Sequence, residues 1–140
     1  MAEADIIGAI VAILKADSDV AALIGDNAHG GELPKELIKT TPVQSLLVQP
    51  SGGVSVATGT FSESDSQRFD LYCYGRTVIE ANALRSRCRR ALSLVRRDVV
   101  SNCLIHWIEQ AGGFATGRDP DSKWPFAFQS FQVFHALQEV

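Results

Sequence analysis

The residues able to do chemistry are few and scattered. His29, His106 and His135 are the only histidines, and Cys73, Cys88 and Cys103 the only cysteines. No H-E-x-x-H, H-x-H or C-x-x-C pattern draws any of them together, so a metal site has no local support. Cys103 and His106 are three apart in a stretch that reads as a strand. Such positions point to opposite faces, which rules against a thiol–imidazole dyad. Cys73 with either C-terminal histidine stays geometrically open, but nothing in the sequence motivates it. An odd set of widely spaced cysteines reads as three reduced, buried, small hydrophobes.

The other candidates are no stronger. The glycines of "GELPKEL" and "GGVSVATG" fit neither a phosphate-binding loop nor a dinucleotide fingerprint. Ser51, Ser55, Ser62, Ser64 and Ser66 lie in polar turns without the context of a nucleophile elbow. Glu63 and Asp65, two apart in "FSESDSQ", carry the groups glycoside hydrolysis needs. A solvated hairpin crown is the plainer reading. The expectation is therefore no enzyme, no metal and no cofactor.

One segment concentrates charge. "RSRCRRALSLVRR" at 85–97 holds six of the thirteen basic side chains. Thr77 opens a helix there, with "TVIE" as a capping box. Ala81, Leu84, Cys88, Ala91, Leu92 and Val95 form its apolar stripe. At about 100° per residue, Arg85, Arg89 and Arg96 fall along one flank and Arg87, Arg90 and Arg97 on the outer face. A grip on nucleic acid would interleave aromatics or glycines with the basic residues, and the segment has neither. The reading is a solvated helix face or a protein contact.

The whole chain agrees with this. A net charge of −3 and a pI near 5.5 are unlike those of a dedicated nucleic-acid domain. The longest apolar run, "IIGAIVAIL" at Ile6–Leu14, is about half the ~20 residues a membrane-spanning helix needs. The acidic start "MAEAD" does not resemble a secretory signal, so cytoplasmic synthesis without export is expected. At 140 residues the chain reads as one domain, 1–140.

The elements that must position these residues read as follows. Ala4–Lys15 is an amphipathic helix. "DSDVAALIGD" is a second, short one, capped by Asp17 or Ser18 and stopped by Gly25. Asn27–Pro42 is a loop. Val43–Gln49 is a strand, and Val54–Tyr74 a hairpin with an acidic crown at Phe61–Gln67. Its best strand is Arg68–Gly75, with Phe69, Leu71 and Cys73 on one face. The main helix runs to about Val95. Strands Cys103–Glu109 and Phe126–Leu137 follow, joined by the turn-rich "QAGGFATGRDPDSKWP". Phe126, Phe128 and Phe134 share one face of the last strand, and Phe131 and Val133 take the other. The fold class is α+β: a mostly antiparallel sheet of about four to five strands, with N-terminal helices and one long central helix packed on one face.

The order of these segments resembles the tail-completion or tail-terminator proteins of long-tailed bacteriophages and related gene-transfer particles. The likeness runs through nearly the whole chain. It is carried by "DSDVAALIGD", "HGGELPKE", "VQSLLVQ", the strand "RFDLYCYGRT" leading into "IEANALRSRCRRAL", and "GRDPDSKWPFAFQSFQVF". Arg68, Glu80, Ala81 and Leu84 fill its centre, and the turn Arg118–Pro125 is its second mark. The segment "SGGVSVATGTFSESDSQ" is a departure from the pattern.

The resemblance implies a structural virion protein, made in the host bacterial cytoplasm. Its implied place is the head-proximal end of the tail tube, where it would form a ring, most simply a hexamer. That ring would stop tube polymerisation and meet the tube protein on one side and the connector or stopper protein on the other. DNA would pass through the lumen without sequence-specific binding, and no membrane is involved. Cyclic symmetry requires two different patches per subunit. The candidates are Arg85, Arg89 and Arg96 on the helix flank, Glu63 and Asp65 on the acidic crown, and Arg118, Asp119 and Trp124 in the late turn. Two other readings stand beside it: a neck stopper that plugs the portal, and a nucleic-acid-binding protein using the arginine helix.

Overall fold

The structure, a computed structural model, describes residues 5–31, 33, 42–51, 64–120, 122–136 and 140. Helix α1 (Ile6–Ala16) starts where the Asp5 carboxylate accepts the Gly8 amide at 3.1 Å. Asp17 ends α1 and caps α2 (Ser18–Ile24), accepting the amides of Asp19 and Val20. Gly25, at φ +59°, closes α2 in a backbone region that side chains disfavour.

Six strands follow in chain order, interrupted by one helix: β1 (Ala28–Gly30), β2 (Ser45–Pro50), β3 (Ser64–Tyr74), α3 (Val78–Ser93), β4 (Arg96–Val100), β5 (Cys103–Arg118) and β6 (Pro125–Ala136). They form one sheet in the order β1-β2-β3-β6-β5-β4. All pairings are antiparallel except β1 with β2. The α+β class holds, with six strands where four to five were expected and a parallel pair at one edge. The sheet curls: α1 touches β1 and β2 at one side and β4 at the other.

The helices cover one face. Alternation along β3 and β6 sends Phe69, Leu71, Cys73, Phe131 and Val133 into the core with Leu84, Cys88 and Leu92 of α3 and Ile6, Ile10 and Leu14 of α1. The faces expected for both strands are those observed. Tyr72, Phe126, Phe128 and Phe134 line the other face, partly exposed. The α3 N-terminus is also as read: the Thr77 hydroxyl accepts the Glu80 amide at 3.2 Å. The three cysteines are free and buried.

Four expectations need correction. The helix ends at Ser93, so Arg96 and Arg97 belong to β4 and share no helix flank with Arg85 and Arg89. The cause is local: Leu94 leaves the helix exposed, Val95 turns into the core, and Arg97 takes φ +50°. Second, β5 continues through "QAGGFATGR", since small residues there extend the chain around a bulge and do not reverse it. Third, Asp65 is not in a crown. It lies within β3, opposite His135, while Glu63 and Val54–Thr60 lie outside the described residues. Fourth, the loop Asn27–Pro42 contains β1.

Candidate assembly surface

The arginine-rich helix presents two different kinds of cation. Arg87, Arg89 and Arg90 are exposed, as an amphipathic helix dictates. Arg85 is not: only 7% of its surface is accessible. Its Nη1 donates to Gln129 Oε1 at 2.7 Å and its Nε to Asn82 Oδ1 at 2.9 Å. Gln129 in turn donates through Nε2 to Gln110 Oε1 at 2.7 Å. The Phe114 ring lies over the guanidinium, 4.0 Å from its carbon. Every one of these partners is neutral, so a nearly buried charge is held without a hydrogen-bonded carboxylate among the described residues. Burial, with Arg89 close by, pulls the Arg85 pKa below its ordinary value, although the group stays charged at neutral pH.

Two bulges in β5 build this arrangement. Ile105 faces His135 and Trp107 faces Phe134, so His106 is an extra residue that flips the alternation. Ile108 therefore enters the core, and Trp107 stacks on Phe134 across the opposite face, centroids 4.5 Å apart. Between Gln110 and Phe114 the chain spends extra residues at Ala111, Gly112 and Gly113, with Gly112 at φ +123°. Phe114 then lands opposite Gln129, on the helix face, where it meets Arg85.

Beyond Trp107, no strand among the described residues pairs with the outer side of β5, because β4 stops at Arg96. This edge runs beside α3, and a pocket of about 190 Å³ between them is lined by Leu92, Ile108 and Phe131 together with the oppositely charged Arg89 and Glu109. A shallower hollow of about 460 Å³ lies at the end of β4, between Arg96, Arg97, His106 and Trp107.

The late turn is a closed loop. Asp119 Oδ1 accepts the Ser122 amide at 3.0 Å, the Asp119 amide donates to the Trp124 carbonyl, and Arg118 Nη1 donates to the Lys123 carbonyl at 3.3 Å. Trp124 is 1% exposed and packs edge-on to Tyr74. It anchors the turn from beneath and has no surface to offer a neighbour. Arg118 remains exposed.

The sequence-read residues that the structure describes thus fall into four places. Arg85 and Arg89 share one flank of α3, Arg96 sits on β4, and Arg118, Asp119 and Trp124 make the turn. Asp65 lies about 20 Å along the sheet from Gln129, the residue that holds Arg85, at ~3.3 Å per residue. Cys73 meets Cys88 but not His135. Cys73 pairs with Ala127 in register, eight positions along β6 from His135, or about 26 Å. Cys103 Sγ lies 3.5 Å from the Asp5 carbonyl oxygen and 3.6 Å from that of Ser101. Among the described residues no group of three His, Cys, Asp or Glu side chains could hold a metal ion, and no helix is long and apolar enough to cross a membrane.

A family model described as "Tail completion protein gp17" matches residues 8–136. The chain belongs to that family. This tail completion protein is thereby a phage structural protein of the virion's tail and neck, with a part in joining tail to head. Its fold is similar to a chain in the structure titled "Virion of native gene transfer agent (GTA) particle", at 16% identity, with 92% of each chain covered and a TM-score of 0.67. It is also similar to the bacteriophage SPP1 gp17 protein at 16% identity, covering 90% of this chain and 85% of that one, with a TM-score of 0.45. No curated protein sequence matches. Phe114, Gln110 and Gln129, central to the surface, went unread in the sequence. A lone aromatic among small residues in "AGGFATG" was the one available signal.

Proposed function

We propose that this tail completion protein forms a closed ring, six subunits in its simplest form, at the head-proximal end of the tail tube. There it ends tube polymerisation and presents the surface that the neck proteins join. DNA passes through the lumen without sequence-specific contact. The observation that carries this reading is the family match over residues 8–136. Two features of the surface support it. Among the described residues the outer edge of β5 beyond Trp107 has no strand partner and is largely uncharged, which in a lone subunit is an invitation to pair. It also holds a nearly buried arginine with only neutral hydrogen-bond partners beside an exposed phenylalanine, residue types in which interfaces are enriched.

Gold labelling of tagged chain on tails detached from their heads tests the location. Label at the head-proximal end alone supports the reading. Label spread along the tube would make the chain a tube subunit, and label retained on the heads would favour the stopper.

A further inference from the structure

We infer that β1 is a latch that acid releases: a proton taken up by His29 lifts this strand from β2. The inference stands apart from the ring reading. Alternation along β1 turns Ala28 and Gly30 toward α1, where Ala28 joins the core and a Cβ on Gly30 would stand 3.3 Å from Ile7 Cγ2. His29 therefore points to the other face, in register with Leu47 of β2. Its Nε2 is buried and, among the described residues, has no hydrogen-bond partner. The neutral ring tolerates this, because one of its two nitrogens carries only a lone pair. The imidazolium does not. Both nitrogens then bear a proton, and Nε2 would hold part of a positive charge out of water with nothing to accept its N–H.

The surroundings give that charge no relief. Helix α1 carries one charged side chain, Lys15, between its caps Asp5 and Asp17, and β2 carries none. Beyond β2, Asp70 and Tyr72 of β3 lie on the same face as Leu47, and the exposed Asp26 precedes β1. Burial first, and then the like charge of Lys15, hold the His29 pKa below its ordinary value; none of these carboxylates offsets them. Closure of the strand is therefore fully favoured above about pH 6.5, the value of a free imidazole, and weakens as pH falls below it. The strand has little else to hold it. It is three residues long, at the end of the sheet, in a parallel pairing. The Leu46 amide donates to the Asn27 carbonyl and the Gly31 amide to the Val48 carbonyl, both at 2.9 Å, and Gln49 Nε2 donates to the Gly31 carbonyl at 2.9 Å. Short edge elements of this kind are where native chains open first. Once β1 leaves, His29 reaches water and the β2 backbone is uncovered. Among the described residues the sheet then has one edge, on β5, that is open at any pH and another, on β2, that acid opens.

Amide hydrogen exchange on the full chain, corrected for the intrinsic rate at each pH, tests this between pH 8 and 5. The Gly31 and Leu46 amides should lose protection below about pH 6.5, by up to about tenfold per pH unit, while amides of the β3–β6 pairing keep theirs. His29→Gln should hold the protection of both amides level across the range. Lys15→Gln keeps the imidazole and removes the like charge, so it should make the total loss smaller. Protection at Gly31 and Leu46 that does not change with pH would overturn the inference, as would an equal slope in His29→Gln. A loss shared by the β3–β6 amides would make the opening global and overturn it too. So would a native His29 ring, followed by its NMR titration, that takes its proton at or above about pH 6.5.

Discussion

The guanidinium carbon of Arg85 lies 4.0 Å from the centre of the Phe114 ring, on the helix-covered side of a strand edge that has no further strand among the described residues. The helix supplies the cation and a bulged strand supplies the lid. Neither would stay there alone. Arg85 needs Gln129 and Asn82 to satisfy its donors once it leaves water, and Phe114 reaches it only because the extra residues at Ala111–Gly113 bring the chain back into register.

Removing that cation should cost stability as well as assembly. Arg85→Ala strands the Gln129 carbonyl oxygen in a buried site, a loss of about 1–3 kcal/mol. Urea unfolding should show a lower midpoint with an unchanged slope. Arg85→Lys should recover only part of the loss, because an ammonium has neither the planar face that lies against Phe114 nor the fork that bonds Gln129 and Asn82 together. Full recovery by lysine would mean that charge alone matters at this position.

Gly75 should refuse a side chain. A Cβ there would stand 2.9 Å from both the Ala81 amide nitrogen and Glu80 Cβ. The strand must enter α3 this closely because Gly75 also donates its amide to the Pro125 carbonyl at 3.3 Å. Gly75→Ala is expected to destabilise the fold by about 1–3 kcal/mol through overpacking, read as a lower unfolding midpoint. A neutral result would mean that the first turn of α3 is free to shift.

These two sites also show how far the sequence could be read. The capped start of α3, its apolar stripe and the faces of β3 and β6 were legible, as was the α2 cap to within one residue (Asp17 or Ser18), because each is a local pattern that one element imposes on itself. Three things were not. The exit from α3 depends on Val95 finding the core, a tertiary event. The length of β5 was hidden because "AGGFATG" has the composition of a turn, yet β6 beside it supplies the ladder that keeps it extended. The burial of Arg85 was hidden for a related reason. Periodicity put it on the border of the stripe, and only the meeting with Gln129 and Phe114, more than twenty residues on, draws it inside.

The fold should lose stability in alkali. Tyr74 is held well above the ordinary tyrosine range by burial first, then by Asp119 and its neighbours Tyr72 and Cys73, and burial raises Tyr72 in the same direction. Cys73 is raised by burial and by its contact with Cys88. Each group keeps its proton in the fold after the unfolded chain would have lost it. Their contribution is therefore complete below the unfolded values, about 8.5 for the thiol and 10 for the phenols, and is lost as pH rises through and beyond them. Urea midpoints should fall between pH 8 and 11, and Tyr74→Phe should flatten the part of that fall above pH 10.

The thiols should be silent until the protein unfolds. Cys73, Cys88 and Cys103 are each fully buried, so a thiol reagent added to native protein is expected to find none of them within minutes. All three should react at once in strong denaturant. Fewer than three after denaturation would reveal a disulfide, against the free state of these residues.

The central claim is that this protein finishes the tail. Negative-stain microscopy of particles made with its gene disrupted tests it most directly. DNA-filled heads beside unattached tubes of uncontrolled length are expected, with normal tails restored by the intact gene supplied in trans. Intact, infectious particles from the disrupted gene would contradict it, and tails of normal length beside emptied heads would move the protein from the end of the tube to the mouth of the head.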